Sequence, residues 1–184
     1  MEEVSGLAPF GGVLSREQLL LLLRGEPPLV TGMPDPENQL QPNGIDLTVD
    51  TVARFSGAGA VTADNRHRRL PSTEPVSLDR SGWWVLSAGS YLVRFSETVN
   101  LPRACMAYAR PRSSLLRCGA ALHTAVWDAG YSGQGVALLV VYNPAGLVLE
   151  HRARIVQLVF HWLSQPTREG YHGAYQGETG RASG

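Results

Sequence analysis

Short apolar runs rich in β-branched and aromatic residues dominate the chain from residue 45 onward. They are IDLTV, TVARF, WWVL, SYLVRF, ACMAYA, ALLVVY, LVLE and RIVQLVFHW, and clusters of Gly, Pro and Asn separate them. Many short strands at close spacing are typical of antiparallel folds rather than of doubly wound parallel sheets. The pattern therefore predicts a mainly β protein, either a sandwich or a jelly-roll-like barrel.

One helix is predicted near the N-terminus. Ser15 and Gln18 form a capping-box pattern ahead of the leucine run Leu19–Leu23, and Gly25 followed by Pro27 ends the helix. Consecutive leucines cannot all face one side of a helix. Part of this helix is therefore expected to be covered by another element or by another subunit.

Three polar segments lack a regular pattern. Residues 27–42, PPLVTGMPDPENQLQP, are too rich in proline for regular structure and are predicted to form an ordered loop that leads into a site. Residues 56–75 are interpreted as a surface loop without chemistry. Residues 165–184 are polar and carry five glycines, so they either fray as a terminus or form a flexible lid over a ligand.

Length and composition limit the class of protein. A chain of 184 residues with 43% hydrophobic content predicts one domain, residues 1–184, with a helical segment at 1–30 and the lid at 165–184. Sixteen basic and sixteen acidic residues cancel, so no long-range field attracts nucleic acid or an anionic membrane. An anionic ligand must therefore meet a local cluster of positive charge.

The ends and the cysteines indicate the compartment. The N-terminus is acidic and lacks the basic and apolar regions of a signal peptide, and no apolar run approaches membrane-spanning length. Cys105 and Cys118 lie in apolar contexts without the close spacing of a metal or redox pair. We expect a cytoplasmic protein with buried, free thiols and with neither a membrane nor a nucleic acid as partner.

The stretch RPRSSLLRCGAALHTAVWDAGYSGQG is dense in polar residues that a core does not need. At its start, Arg112, Ser113 and Ser114 precede a short apolar turn of helix. Hydroxyl groups and backbone N–H groups beside a guanidinium at a helix N-terminus can bind phosphate. The same residues also fit an ordinary N-cap next to a solvated arginine.

Asp128, Tyr131 and Gly133 follow in a hairpin-like segment between apolar strands. Asp128 either caps a turn or acts as a general base that orients water. In the second case, the Tyr131 ring packs against a sugar and the glycine lets the backbone approach a ligand. Spacing alone does not decide between these alternatives.

Further polar residues lie on two predicted strands. Asp46 begins the strand in QPNGIDLTV, while Arg154 and Gln157 lie in RARIVQLVF. Because Arg154 and Gln157 are an odd number of residues apart, a regular strand would point them to opposite faces. They serve one site only if the strand carries a bulge or if they face different subunits.

In chain order, QPNGIDL, RPRSSLL, HTAVWDAGYSG, RIVQLVF and YHGAYQGETG resemble the five motifs of the trimeric dUTPase and dCTP deaminase superfamily. With its leading helix, the chain looks most like the archaeal-type dUTPases. The resemblance implies a dUTPase-like, distorted jelly roll that forms a homotrimer with sites shared between subunits. It also implies Mg²⁺-dependent hydrolysis of dUTP to dUMP and pyrophosphate.

The resemblance further implies roles for single residues. Asp128 would activate the water that attacks the α-phosphorus, Gln157 would help to hold that water, and Asp46 would be outer-sphere to Mg²⁺ held by the phosphates. Tyr131 would lie beneath the deoxyribose and exclude a 2′-hydroxyl, and the tail would close over the triphosphate. The implied substrate-binding set comprises Arg112, Ser113, Ser114, Tyr131, Gly133, Arg154, Tyr175, Gln176 and Gly177.

Two other activities of related folds are disfavoured. In the deaminase branch, a glutamate in the strand after the third motif acts on dCTP, whereas alignment on Asn143 places Val140 at that position. No carboxylate lies between Asp128 and Glu150, so a dCTP deaminase or a bifunctional enzyme would lack its proton shuttle. Zinc chemistry is disfavoured because the histidines form no ligand spacing with the cysteines.

A non-catalytic, nucleotide-binding member of the fold is the remaining alternative. It is disfavoured because Asp128 and Gln157 occur together with Arg112 and Tyr131. A protein that only binds a nucleotide has no chemical need for an acid that activates water.

Overall fold

Antiparallel strands make up most of the regular structure, as the sequence pattern predicted. A computed structural model describes residues 11–179, so residues 1–10 of the predicted helical segment and 180–184 of the predicted lid lie outside the described residues. The elements are, in order, β1 (Gly12–Val13), α1 (Arg16–Leu23), β2 (Val30–Thr31), α2 (Pro36–Gln39), β3 (Leu40–Gln41), β4 (Gly44–Ser56), a 3₁₀ turn (Asn65–His67), β5 (Ser72–Pro75), β6 (Trp83–Leu86), β7 (Gly89–Asn100), β8 (Cys105–Pro111), α3 (Ser113–Arg117), β9 (Ala120–His123), β10 (Ser132–Val141), β11 (Leu147–Glu150) and β12 (Arg154–Trp162).

Helix α1 confirms the predicted N-terminal helix and its cap. Ser15 is the N-cap, and its backbone N–H donates to the side-chain oxygen of Gln18 at 3.0 Å, which completes the capping box. Leu19 is fully buried, whereas Leu20 and Leu21 are exposed. The chain itself therefore covers one side of the leucine run and leaves the other side open.

The prediction of an irregular loop at residues 27–42 is wrong in part, because β2, α2 and β3 lie within it. Asp35 is the N-cap of α2 and Pro36 occupies the first turn. A proline at this position costs a helix nothing, since its missing N–H would have no partner there in any case. The short helix carries Gln39 into the core, where it is 0% exposed.

One ten-stranded antiparallel sheet curls around the core. Its main path runs β1-β12-β4-β7-β10-β9, with β2 on β7, β3 and β5 on β4, and β8 on β12, while β6 and β11 form a separate pair. Alternate residues face inward, as in β7, where Tyr91, Val93, Phe95 and Val99 are buried. The buried residues form one continuous cluster.

Strand β4 changes its neighbour midway, and two buried polar side chains make that change possible. Residues 45–48 pair with β12, whereas residues 49–54 pair with β7. At the junction, the Glu97 carboxylate accepts hydrogen bonds from the Thr48 N–H at 3.0 Å, from the Thr48 hydroxyl at 2.7 Å and from the Gln39 amide at 2.7 Å. Gln39 also donates to the Asp46 carbonyl at 2.8 Å. Where β4 changes its partner strand, these side chains supply hydrogen bonds to the Thr48 N–H and the Asp46 carbonyl. The backbone groups at the junction therefore keep hydrogen-bond partners.

The two free cysteines lie in different environments. Cys105 is buried as expected, but the expectation is wrong for Cys118, which is exposed. Cys118 ends α3, a five-residue helix in which Leu115 is the buried residue, so the end of the helix stays at the surface. Within residues 11–179, no helix is long and apolar enough to cross a membrane.

The Glu97 carboxyl makes stability depend on pH. Burial raises its pKa, and the hydrogen bonds from Thr48 and Gln39 oppose that rise. The native protein then keeps a proton that the unfolded chain has released. The free energy of unfolding should therefore fall as pH rises from the unfolded pKa of about 4.3 through the raised native value.

We expect Glu97→Gln to remove this fall, so that the wild type loses stability relative to the variant as pH rises from 4.5 to 8. Urea unfolding across that range measures the difference. Exposed Glu74→Gln is the control and should follow the wild type. Identical pH profiles for wild type and Glu97→Gln would contradict the assignment.

Candidate functional site

A cavity of about 350 Å³ opens where the turn before β10 meets the C-terminal segment, a name used here for residues 171–178. The turn and the start of β10 form one wall, and the C-terminal segment forms the other. The lining residues are Ala125, Val126, Trp127, Asp128, Tyr131, Gly135, Val136, Tyr171, Tyr175 and Glu178. The cavity thus contains the predicted general base and the predicted sugar-binding tyrosine.

A tight backbone turn places Asp128 at the cavity. The Tyr131 N–H donates to the Asp128 carbonyl at 3.0 Å, and Gly130 has a φ of 85°, a conformation that glycine adopts without strain. The Asp128 side chain is exposed and, within residues 11–179, makes no hydrogen bond or ion pair. The backbone therefore closes the turn, and the carboxylate does not cap it.

Two glycines let aromatic rings form the cavity wall. A Cβ atom at Gly135 would lie 2.6 Å from the Trp127 ring, and one at Gly133 would lie 2.8 Å from the Tyr131 hydroxyl. Both positions therefore exclude a side chain. Gly133 was predicted to admit a ligand to the backbone, and in the structure its open space is filled by Tyr131.

Tyr131 is 7% exposed, and its ring meets that of Tyr171 edge-on, with the ring centres 5.6 Å apart. Burial, followed by the nearby Glu178 and Tyr171, raises the pKa of its hydroxyl to about 12. The side chain is therefore a neutral phenol at physiological pH. It offers a flat apolar face and one O–H group, with no charge that would repel a phosphate.

The C-terminal segment is fastened to the turn mainly through backbone groups. The Tyr171 N–H donates to Ala129 and the Gly177 N–H to Ser132, each at 2.8 Å. The Gln176 amide accepts from the Ser132 N–H and donates to the Gly130 carbonyl, each at 3.1 Å. Of the two interpretations of the tail, the structure favours a cover over the cavity rather than a frayed end.

The three tail residues predicted to bind substrate have different positions in the structure. Tyr175 lines the cavity, whereas the Gln176 side chain and the Gly177 N–H are used to hold the segment in place. The loop at 56–75, which was assigned no chemistry, also reaches this region. Its Arg68 guanidinium lies 5.3 Å from the centre of the Tyr175 ring, within range of a cation–π contact.

A second polar group lies around Asp46, whose side chain is 3% exposed. Its Oδ2 atom accepts a hydrogen bond from Arg112 and lies 3.4 Å from the Arg154 guanidinium. Strand β12 carries a register shift between Arg154 and Val156, and Gln157 pairs with Asp46 across the ladder. The shift is a bulge at Ile155, which is one of the two arrangements that would let Arg154 and Gln157 serve one site.

Arg112 links this second group to α3. It is the N-cap residue, its N–H donates to the Ile155 carbonyl at 3.0 Å, and its side chain makes no capping bond. Ser113 and Ser114 are exposed in the first turn. The interpretation of a solvated arginine beside an ordinary N-cap is wrong, because the guanidinium is paired with Asp46.

Two opposing effects act on the pKa of Asp46 in the second group. Burial raises the pKa of Asp46, while Arg112 and Arg154 act in the opposite direction. Within residues 11–179, no three His, Cys, Asp or Glu side chains lie close enough together to hold a metal ion. These residues do not fit a protein-held metal. Asp46 is instead a single carboxylate paired with two guanidinium groups.

The predicted site residues thus form two groups in one chain. Asp128, Tyr131 and Tyr175 surround the cavity, whereas Asp46, Arg112, Arg154 and Gln157 gather at the β4–β12 ladder. Within residues 11–179, none of the second group lines the cavity. The cavity of the single chain therefore contains the predicted general base without the predicted phosphate ligands.

Comparison with known proteins identifies the family. The sequence model described as dCTP deaminase-like matches residues 13–163. The chain is 49% identical over 166 residues to the "Probable deoxyuridine 5'-triphosphate nucleotidohydrolase" of Methanosarcina mazei, covering 90% of this chain and 97% of that protein. The chain belongs to the dCTP deaminase-like family. A protein of the same name from Archaeoglobus fulgidus is 46% identical over 166 residues, covering 90% of this chain and 96% of its own.

A solved structure supports the fold. The 2'-deoxycytidine 5'-triphosphate deaminase from Agrobacterium tumefaciens superposes with a TM-score of 0.64 at 21% identity, covering 83% of this chain and 48% of that chain. This chain thus spans about half the length of that protein. The predicted superfamily and its mainly β fold are confirmed.

Val140, at the position aligned with the deaminase glutamate, lies on β10 opposite Ser90 of β7 and Ala121 of β9. It is not among the residues that line the cavity. Within residues 11–179, the carboxylates that do line it are Asp128 and Glu178.

Sequence reasoning missed Trp127, Tyr171 and Glu178 in the cavity wall and Glu97 behind Asp46. Glu97 has a visible signal, because it occupies an inward position in the alternating pattern of YLVRFSETV. Trp127 directly precedes Asp128 in the motif HTAVWDAGYSG. Nothing in the local sequence indicates that Tyr171 and Glu178 contact a turn some forty residues earlier.

Proposed function

We propose that this protein hydrolyses dUTP to dUMP and pyrophosphate. The observation that carries the proposal is the exposed Asp128 carboxylate, which no side chain within residues 11–179 neutralises, beside the buried Tyr131 ring. The cavity of about 350 Å³ is within the range of small-molecule sites. The archaeal relatives that are 49% and 46% identical are named for this reaction.

In this mechanism, Asp128 is the general base. Its carboxylate takes a proton from a water molecule whose oxygen bonds to the α-phosphorus, while the bond from that phosphorus to the bridging oxygen breaks and pyrophosphate leaves. The Tyr131 ring packs beneath the deoxyribose. A 2′-hydroxyl would meet this ring, so a ribonucleotide is excluded by steric conflict.

A homotrimer with sites between subunits would bring the two groups together. The cavity of one chain would then face Arg112, Ser113, Ser114 and Arg154 of a neighbour, whose guanidinium and hydroxyl groups would stabilise charge on the phosphate oxygens. Gln157 of that neighbour would hold the attacking water. The exposed leucines of α1 offer apolar surface of the kind that subunit interfaces bury.

Magnesium would accompany the substrate rather than the free protein, because the Asp46 group lacks a cluster of ligands. When bound, Mg²⁺ would neutralise charge on the phosphates and so favour departure of pyrophosphate. Asp46 is the residue that would hold it through water, and Arg112 and Arg154 orient the Asp46 carboxylate.

The deaminase alternative fits the cavity less well. Removal of ammonia needs a group that both gives and takes a proton near the base, and Val140 supplies none. Glu178 is the other carboxylate that lines the cavity within residues 11–179, but it is already paired with Arg94 at 3.2 Å. A pure nucleotide-binding role leaves the unpaired Asp128 without a purpose.

Product analysis tests the reaction directly. We expect purified protein with Mg²⁺ to convert dUTP to dUMP and pyrophosphate and to leave dCTP and UTP largely unchanged. A chelator should abolish turnover without lowering the melting temperature of the ligand-free protein, because no cluster of three His, Cys, Asp or Glu side chains lies within residues 11–179. Appearance of dUTP or dUMP from dCTP would favour the deaminase, and binding without turnover would favour the pure binder.

Loss of the general base should affect chemistry far more than binding. We expect Asp128→Asn to lower kcat by about 10²-fold or more, while the dissociation constant for dUTP measured by calorimetry changes little. Asp50→Asn, which alters a carboxylate on β4 away from the cavity, is the matched control. Survival of near wild-type turnover in Asp128→Asn would remove Asp128 from the proposed role.

Mixed oligomers test the sharing of sites. Asp128→Asn and Arg112→Gln should each be inactive alone, and Arg112→Gln keeps a hydrogen-bond donor for Asp46. Co-expression in equal amounts should restore about a quarter of the sites, since each intact site then takes one group from each type of chain. No recovery, with mixed trimers verified by native mass spectrometry, would place both groups within one chain.

A further inference from the structure

The C-terminal segment brings a negative charge into the cavity wall. Glu178 lines the cavity, and its backbone carbonyl accepts a hydrogen bond from the Gln134 N–H at 2.7 Å. A nucleoside triphosphate in this cavity would carry several negative charges of its own. An uncompensated carboxylate in the wall would therefore weaken binding.

Arg94 of β7 compensates that charge. Its Nη2 atom lies 3.2 Å from Oε1 of Glu178, and the two side chains are 22% and 28% exposed. Within residues 11–179, Glu178 is the one carboxylate that pairs with Arg94. The Nη1 atom of Arg94 is buried without a hydrogen-bond partner in the same part of the chain, so the ion pair is the polar contact that Arg94 makes there.

The same pair joins the C-terminal segment to the rigid centre of the sheet. Strand β7 lies between β4 and β10 and includes inward residues of the core. The other hydrogen bonds of the segment to the rest of the chain reach residues 129–134, and Arg68 of the 56–75 loop lies over the Tyr175 ring. Arg94 thus gives the segment its ion pair with the central strand of the sheet.

We propose that Arg94 is a positioning residue of this site: it fastens the C-terminal segment of its own chain across the cavity and cancels the charge of Glu178 that would otherwise face the substrate. The charge-compensating half rests on the proposed function, because it requires an anionic nucleotide. The fastening half does not depend on what the cavity binds.

The fastening and the charge compensation combine differently in two substitutions. Glu178→Gln loosens the segment but also removes the repulsive charge, so its effects on substrate binding partly cancel. Arg94→Met loosens the segment and leaves the Glu178 carboxylate bare, so its effects add. If Arg94 had a purely structural role, adding Glu178→Gln to Arg94→Met would not restore substrate binding.

Hydrogen exchange of the ligand-free protein tests the fastening. The Tyr171 and Gly177 N–H groups are bonded to the turn, and we expect Glu178→Gln and Arg94→Met each to raise their exchange about fivefold. Glu169→Gln is the matched control, an exposed carboxylate earlier in the tail that makes no ion pair within residues 11–179. Unchanged exchange in Glu178→Gln would contradict the fastening. The substitution lies in the C-terminal segment, outside the hydrophobic core, so we expect the variant to fold.

Steady-state kinetics with dUTP test the charge compensation. We expect KM to rise about tenfold in Arg94→Met and about twofold in Glu178→Gln, and the double variant to return to about twofold, with kcat little changed throughout. A double variant whose KM stays as high as that of Arg94→Met would contradict the proposed charge compensation. Absence of dUTP turnover in the wild type would instead refute the proposed function, and the exchange experiment would still decide the fastening.

Discussion

The buried contact between Glu97 and Thr48 is the constraint on which the arrangement of the site depends. Strand β4 belongs to two halves of the curled sheet, and it can leave β7 for β12 because Glu97 and Gln39 take over the backbone groups of Thr48 and Asp46. Without those bonds, the departure would leave buried N–H and C=O groups unpaired, which is costly in a core. The crossing of β4 to β12 in turn places Asp46 opposite Gln157.

The bulge in β12 brings a further residue, Arg154, to Asp46. A regular ladder would carry Arg154 and Gln157 to opposite faces, but the extra residue, Ile155, turns both toward Asp46. The backbone of Ile155 also holds the start of α3, and with it Arg112. A cluster that combines one buried carboxylate with two partly exposed guanidinium groups therefore follows from backbone geometry. Breaking either ion pair would leave the buried Asp46 carboxylate less well compensated.

The cavity, unlike the Asp46 group, is formed by a turn and by the C-terminal segment rather than by paired strands. Its first wall is a short turn whose glycines allow aromatic rings to pack where side chains would otherwise collide, and its second wall is the C-terminal segment. That segment packs Tyr171 against the core and is otherwise held mainly by hydrogen bonds and one ion pair. Such attachments open at lower free energy than a core strand. The site therefore combines a rigid wall that carries Asp128 with a wall that is free to yield to a ligand.

The sequence by itself determined the fold class, the capped first helix, the family and the identity of the polar residues in both groups. These features are local: alternation, capping patterns and ordered motifs leave direct marks on the order of residues. It also left two alternatives open for Arg154 and Gln157. The tertiary structure decided for the bulge, separated the site residues into two groups and brought Arg94 and Glu178 together across more than eighty residues. Contacts between distant segments depend on strand register and on close packing, and neither is encoded by a short stretch of chain.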